Sequence, residues 1–109
     1  MEVEIKTHTK EVTEAVEKAI QAGLEQCGLI AEGHARKGCP VRFGNLRDSI
    51  DHAVDAGECY VGTNVEYGPY VEYNEKAHHK VGGPHFLKNA VADHVDEYEK
   101  AMRDHLRGL

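Results

Sequence analysis

One amphipathic pattern covers the first third of this chain and limits the folds open to it. Apolar or small residues recur there at steps of three and four: Val12, Val16, Ile20, Gly23, Cys27, Ile30 and His34. At 3.6 residues per turn they line one face of a helix from about Lys10 to Ala35, and Ala19, Leu24 and Ala31 widen that face. Gly38 and Pro40 end the helix, by C-terminal capping geometry and by blocking continuation. The pattern therefore predicts a long helix that packs one face against the rest of the chain.

The segments on either side of this helix predict extended structure. Residues Glu2 to Lys6 alternate polar and apolar, which suits a short edge strand. The stretch from Val41 to Ile50 is mostly loop. Strict alternation then returns in Ile50 to Ala56 and in Cys59 to Thr63, with a glycine-containing turn between them, so a β-hairpin is expected.

The last third of the chain predicts two more helices. Gly68 suits the cap of a short helix, and Pro69 suits its first helical position. Glu75 to Gly83 is polar and is expected to be an exposed, mobile loop. A final helix is expected from about His85 to Leu106, with His94 and His105 beside an apolar stripe. The stripe is Leu87, Val91, Val95, Tyr98, Met102 and Leu106.

Helix, hairpin, short helix and helix in this order predict an α+β fold. It consists of a long N-terminal helix, an antiparallel β-hairpin or small sheet, a short helix and a C-terminal helix. The length of 109 residues fits a single domain over 1–109. We expect its core where Val16, Ile20, Leu24, Cys27 and Ile30 meet the hairpin and the C-terminal stripe.

Charge and hydropathy exclude several classes of function. The formal net charge is −6, and no basic patch is long enough to hold nucleic acid through its phosphates, so sequence-specific nucleic-acid binding is not expected. No run of about 18 apolar residues is present, so a membrane span is not expected. The N-terminal residues lack a basic start followed by an apolar stretch, so no secretory signal is expected.

The residues that could carry catalysis or bind a metal form no recognisable set. His78, His79 and His85 lie near Glu75 in sequence, yet adjacent histidines do not match the spacing of zinc ligands. His94 and His105 are too far apart on their helix to chelate one ion. We therefore predict no catalytic residues, no cofactor and no metal site, and no enzyme.

The cysteines suggest one alternative to this view. Cys27, Cys39 and Cys59 are expected to be reduced thiols, and Lys37 is close enough to Cys39 to lower its pKa somewhat. The alternative is therefore a small metal-dependent or thiol enzyme of a mobile element, built on the histidine-rich loop and Cys39.

Two groups of residues are candidates for an interface with other proteins. Ala15, Ala22 and Leu29 are spaced by sevens on the long helix and project away from its main apolar face, either as a tolerant solvent face or as a contact stripe. Tyrosines at 67, 70 and 73 recur every three residues, and since tyrosine suits interfaces and can also fill the core, we expect at least one in the core and one facing a partner. The candidate interface residues are Ala15, Ala22, Leu29, Tyr67, Tyr70, Glu72, His78 and His79.

Several short motifs follow one another along most of the chain. They are ARKGCPV at Ala35–Val41, GNLRDSI at Gly44–Ile50, VGTN at Val61–Asn64, YGPYVEY at Tyr67–Tyr73 and PHFLKNA at Pro84–Ala90. In this order and spacing the chain resembles the small head–tail joining and tail-completion proteins of tailed bacteriophages and prophages. Departures from that pattern are Arg42 and Phe43 for Asp-Thr, Gly68 for Ala, Asn74 for Gly, and an inserted His85.

The resemblance implies a structural virion protein. Such proteins form rings at the neck or the head-proximal end of the tail and join capsid and tail around the DNA channel. The partners it implies are a connector, tail terminator or tail-tube protein and further copies of the chain. The implied location is the virion, and the host cytoplasm during assembly. A closed ring needs two complementary patches per subunit, for which the long helix and Tyr67 to Gly83 are the candidates.

Overall fold

A computed structural model describes residues 2–40, 44–73, 84–107 and 109, with the backbone alone for residues 2–10 and Tyr70. The fold is α+β, as predicted. Its elements in chain order are α1 (Glu2–Gly38), α2 (Gly44–Ser49), β1 (Asp51–Asp55), β2 (Glu58–Gly62), α3 (Gly68–Tyr73), α4 (Phe86–Ala92) and α5 (Val95–Leu106).

The first helix is longer than predicted and forms the spine of the molecule. Helix α1 has 37 residues and is therefore about 55 Å long. The prediction of an edge strand at Glu2 to Lys6 is wrong, because this segment is the first part of α1. Five alternating residues make a strand only beside a partner, and the described residues contain one sheet, of β1 and β2 alone.

Helix α5 runs antiparallel to α1. Cys27 lies opposite Tyr98, and Gly23 lies opposite Met102 further towards the C-terminus of α5. A Cβ atom on Gly23 would sit only 2.7 Å from Met102 Sδ, so this glycine lets the two helices approach closely.

The single C-terminal helix that the sequence predicted is divided in two. Helix α4 ends at Ala92 and α5 begins at Val95, with His94 outside helical geometry at φ −129°. The interruption lets α4 pack at the C-terminal end of α1 while α5 follows the middle of α1.

The hairpin lies against α1 beside the other interior glycine. Strands β1 and β2 pair antiparallel with Asp51 opposite Gly62 and Asp55 opposite Glu58. The two turn residues, Ala56 and Gly57, have φ of 51° and 78°, as a tight primed turn requires. A Cβ atom on Gly28 would lie 2.1 Å from His52 Cδ2, so Gly28 makes room for the His52 ring.

The core is gathered around the C-terminal end of α1. Its buried residues are Ala35, Cys39, Leu46, Ile50, Val71, Phe86 and Ala90. The loop predicted at Val41 to Ile50 is partly wrong, because Gly44–Ser49 is helical and carries the fully buried Leu46. The centre of the core therefore lies at the C-terminal end of α1 and not along its middle, where the sequence pattern placed it.

The core predicted from the stripes is correct only in part. Cys27 is buried, but Val16, Ile20, Leu24 and Ile30 are half-buried. Val91 and Val95 remain about half exposed, at 49% and 48%. Among the described residues, no helix is long and apolar enough to cross a bilayer.

Candidate assembly surface and ionisable clusters

Apolar side chains line an open groove between α1 and α5, which we call the α1–α5 groove. Its volume is about 540 Å³. Residues from both helices form it: Leu24, Cys27, Val95, Tyr98, Met102 and Leu106, with Glu99 and Arg103. A smaller cavity of about 110 Å³ adjoins it between Ala31, Cys59, Val61 and Val91, and Tyr98 lines both. The exposed apolar surface is therefore continuous from α5 to the hairpin.

The opposite side of α1 carries the stripe Ala15, Ala22 and Leu29, which we call the outer stripe. All three residues are exposed, and Leu29 is exposed by 61%. Ala22 and Leu29 of the stripe are each two residues away from a groove residue, Leu24 and Cys27 respectively. Because successive residues are about 100° apart around a helix, the outer stripe lies about 160° around the helix from the groove. Gly33, one turn beyond Leu29, has nothing within 4 Å of the place where its Cβ would lie.

The segment from Tyr67 to Tyr73 has exposed tyrosines on either side of the buried Val71 and Glu72. Tyr67 and Tyr73 are exposed, and the side chain of Tyr70 is outside the description. His78 and His79, with the whole predicted loop Glu75 to Gly83, lie outside the described residues. Among the tyrosines whose side chains the structure describes, none belongs to the core cluster.

Glu72, one of the candidate interface residues, makes its described contacts within the subunit. The residue is buried, and its Oε1 accepts a hydrogen bond of 2.7 Å from the N–H of Leu87. Its backbone carbonyl accepts the N–H of His85, also at 2.7 Å. The first N–H groups of a helix have no partner within it. Glu72 on α3 therefore secures the start of α4, a role that its distance along the chain concealed.

An ion-pair network joins the hairpin to α1. His52 Nε2 lies 2.9 Å from Glu25 Oε2, and His52 Nδ1 lies 2.5 Å from Glu32 Oε1. Hydrogen bonding to Glu25, and then to Glu32, raises the pKa of His52 above its ordinary value. Arg36 lies 3.8 Å from the buried Glu32, and its other contact is a 2.9 Å bond to the carbonyl of Ile50.

This network resembles a metal site in composition only. Ligand atoms of Glu32, Asp51 and His52 lie within 4.8 Å of one another. Both nitrogens of His52 already face carboxylates, however, and Arg36 further neutralises Glu32. The cluster is therefore complete as a salt-bridge network, and its effect is to hold β1 on α1.

A second ionisable cluster lies where α1 meets the start of α5. The rings of His34 and His94 are stacked with centroids 3.4 Å apart and planes 3° from parallel. Glu97 Oε2 lies 2.5 Å from His34 Nε2, and Glu97 Oε1 lies 3.9 Å from His94 Nδ1. The hydrogen bond with His34 lowers the pKa of the Glu97 carboxyl.

Sequence reasoning missed this cluster because it looked for histidines close together in the chain. A signal was nevertheless present. His34 belonged to the predicted apolar face of α1, and His94 lay beside the C-terminal stripe, so both were expected at the same helix interface. No spacing rule could have added Glu97, because the break between α4 and α5 sets its position.

The cysteines carry no activated thiol. All three are free, with Cys27 and Cys39 buried and Cys59 half-buried. Burial raises the pKa of the Cys39 thiol, although the charge of Arg47 opposes the rise. The expectation that Lys37 lowers this pKa is therefore wrong, and a nucleophilic role for Cys39 loses its support.

A family model of known proteins matches most of the chain. A family model described as "Bacteriophage HK97-gp10, putative tail-component" matches residues 4–73, well over half of the chain. The matched region extends from α1 to the end of α3. No curated protein and no solved structure matched the chain.

Proposed function

Because this chain belongs to the HK97-gp10-like family of bacteriophage tail components, we propose that it is a ring-forming subunit of the head–tail connector or tail-completion region. In this role it binds further copies of itself and neighbouring connector, tail-terminator or tail-tube proteins. Its work is structural: it contributes contacts and not catalysis. It acts in the virion and is made and assembled in the host cytoplasm.

The observation that carries the proposal is the pair of opposed surfaces on α1. A closed ring of identical subunits requires two different, complementary patches on each one. The α1–α5 groove is concave and apolar, and the outer stripe is convex, with small residues at Ala15 and Ala22 and a projecting Leu29. We propose that the outer stripe of one subunit packs into the α1–α5 groove of the next.

The glycines of α1 support this pairing. Gly23 and Gly28 are explained within the subunit, because Met102 and His52 occupy the space that a Cβ would need. Gly33 has no such neighbour, although glycine costs a helix interior about 1 kcal/mol relative to alanine. It lies on the side of the outer stripe, where the absence of a side chain allows a helix of another subunit to approach closely.

The test is a pair of charge substitutions that disable one patch each. Ala22→Arg places a long cation on the outer stripe, and Val95→Arg places one in the α1–α5 groove. Each variant is expected to fold, because both positions are exposed. Each alone is expected to stop assembly, because a charge buried in the contact has no partner. Gln21→Arg and Asp96→Lys, exposed neighbours on the same helices, are the matched controls.

Mixing the two variants distinguishes this arrangement from a symmetric dimer. The Val95→Arg subunit keeps an intact outer stripe, and the Ala22→Arg subunit keeps an intact groove, so one of each can pair. The two patches left over in that pair are the altered ones, so an equimolar mixture is expected to stop at 1:1 dimers. Native mass spectrometry measures their mass. If the wild-type chain assembles only on phage particles, the readout is co-purification of each variant with tails. Normal assembly of Ala22→Arg, with normal melting, would remove the outer stripe from the interface.

A further inference from the structure

We propose that His34, His94 and Glu97 form a binding site for a divalent transition-metal ion of the zinc type, which joins α5 to α1. One ligand atom from each residue lies within 4.8 Å of the others. The site goes beyond the proposed function and does not depend on it, because its ligands lie within a single subunit.

The donor set fits this class of ion. Imidazole nitrogen and carboxylate oxygen are ligands that zinc, cobalt and nickel accept, and two histidines with one glutamate are a known zinc combination. Magnesium and calcium prefer sites of oxygen ligands alone, so they are expected to bind poorly here. Three protein ligands leave one position of a tetrahedral ion for water. A cavity of about 310 Å³, lined by His34 and His94 themselves, adjoins the cluster and has room for that water.

Binding of an ion requires the stacked rings of His34 and His94 to change their orientation. The lone pair of an imidazole nitrogen lies in the plane of its ring, so two parallel rings 3.4 Å apart cannot both point at one ion. The rings must therefore turn out of the stack when the ion binds. Their side chains are 20% and 32% exposed, which leaves them space to turn.

The surrounding charges set limits on the affinity. Glu97 is the only ligand of the three with an anionic side chain, and its two oxygens lie 2.5 Å from His34 Nε2 and 3.9 Å from His94 Nδ1. Lys37 and Asp93 both line the adjoining cavity, where the lysine repels a cation and the aspartate attracts one. With one anionic ligand and a nearby lysine, the site is expected to bind more weakly than a closed four-ligand zinc site.

The experiment uses the full chain after treatment with a chelator. Zinc chloride and, as the control, magnesium chloride are titrated while heat and melting temperature are recorded. Zinc is expected to bind in a 1:1 ratio and to raise the melting temperature, and magnesium to do neither. Cobalt chloride is expected to give the visible absorption of a bound ion. His34→Asn, His94→Asn and Glu97→Gln are each expected to weaken zinc binding at least tenfold.

A matched control guards against binding by other histidines. His105 lies on α5 and bonds to Gln26 at 2.7 Å, away from the cluster, so His105→Asn is expected to bind zinc as the wild type does. Unchanged zinc binding in His34→Asn and His94→Asn would overturn the proposal, as would a wild-type chain that binds no zinc. Should either variant fail to fold, the wild type decides: zinc must shift the imidazole resonances of His34 and His94, and unshifted resonances refute the site.

Discussion

The two ends of α1 belong to one continuous helix and have opposite environments. At the C-terminal end, Ala35 and Cys39 are almost completely buried beneath α2, α3 and α4. Towards the N-terminus, Val12 is 61% exposed although it continues the same apolar periodicity. Periodicity therefore identifies the face of a helix that can be covered, and the neighbouring elements decide how much of it is covered. The N-terminal end is left with apolar surface that a partner can bury.

The largest expected effect lies at the packed end. Leu46→Ala should lower the free energy of unfolding by about 2–5 kcal/mol, because it leaves a cavity in the core cluster. Leu24→Ala should cost less, because Leu24 is only half-buried in the α1–α5 groove. Val12→Ala, at the exposed end, should stay within about 0.5 kcal/mol. Urea unfolding of the three variants measures this gradient, and equal losses for Leu46 and Val12 would contradict it.

The same substitution at two glycines of α1 compares a packed position with an open one. Gly28→Ala should destabilise the protein by about 1–3 kcal/mol, because its methyl group would overlap the His52 ring. Gly33→Ala should stabilise the isolated subunit by about 1 kcal/mol, because its methyl group enters open space and alanine favours a helix. Thermal unfolding of both variants checks the signs. A stabilised Gly28→Ala would mean that the hairpin is not held against α1 at this point.

Glu72 tests whether the packed end depends on a buried polar contact as well as on apolar packing. Glu72→Ala should cost about 1–3 kcal/mol, because the N–H of Leu87 loses its acceptor in a buried setting. Glu66→Ala is the control, since Glu66 is exposed just before α3. Hydrogen exchange of the Leu87 amide should accelerate in the Glu72 variant alone. Equal protection in both variants would mean that the hydrogen bond from Leu87 to Glu72 does not stabilise the packed end.

Sequence reasoning succeeded where a local pattern was sufficient. It placed most of α1, the hairpin to within one residue at each end, and the start of α3 to within one residue. It failed where a distant partner decides the outcome. Leu46 is buried because α2 folds onto the end of α1. Glu72 is buried where the start of α4 packs on α3 and the N–H of Leu87 donates to its carboxylate. His34 meets Glu97 only because the C-terminal helix is interrupted at His94, which no short-range signal indicated.

The smallest expected effect is a pH dependence that arises where the hairpin meets α1. The pKa of His52 is raised in the folded protein by its bonds to Glu25 and Glu32. Its contribution to stability should therefore be complete below the unfolded pKa of about 6.5 and should disappear as the pH rises through the higher folded value. Asp51, 4.0 Å from His52 Nδ1, has a lowered pKa and titrates in acid, outside this range. The guanidinium of Arg36, 3.8 Å from Glu32, is the cation that completes this network.

The measurement is the difference in melting temperature between the wild type and His52→Asn from pH 6 to pH 9. Titrations that both proteins share cancel in this difference. It should be largest near pH 6 and shrink as the pH rises. Glu25→Gln should reduce it, because Glu25 is the larger cause of the raised pKa. A difference that stays constant across the range would mean that His52 holds β1 on α1 through packing against Gly28, and that its charge contributes nothing.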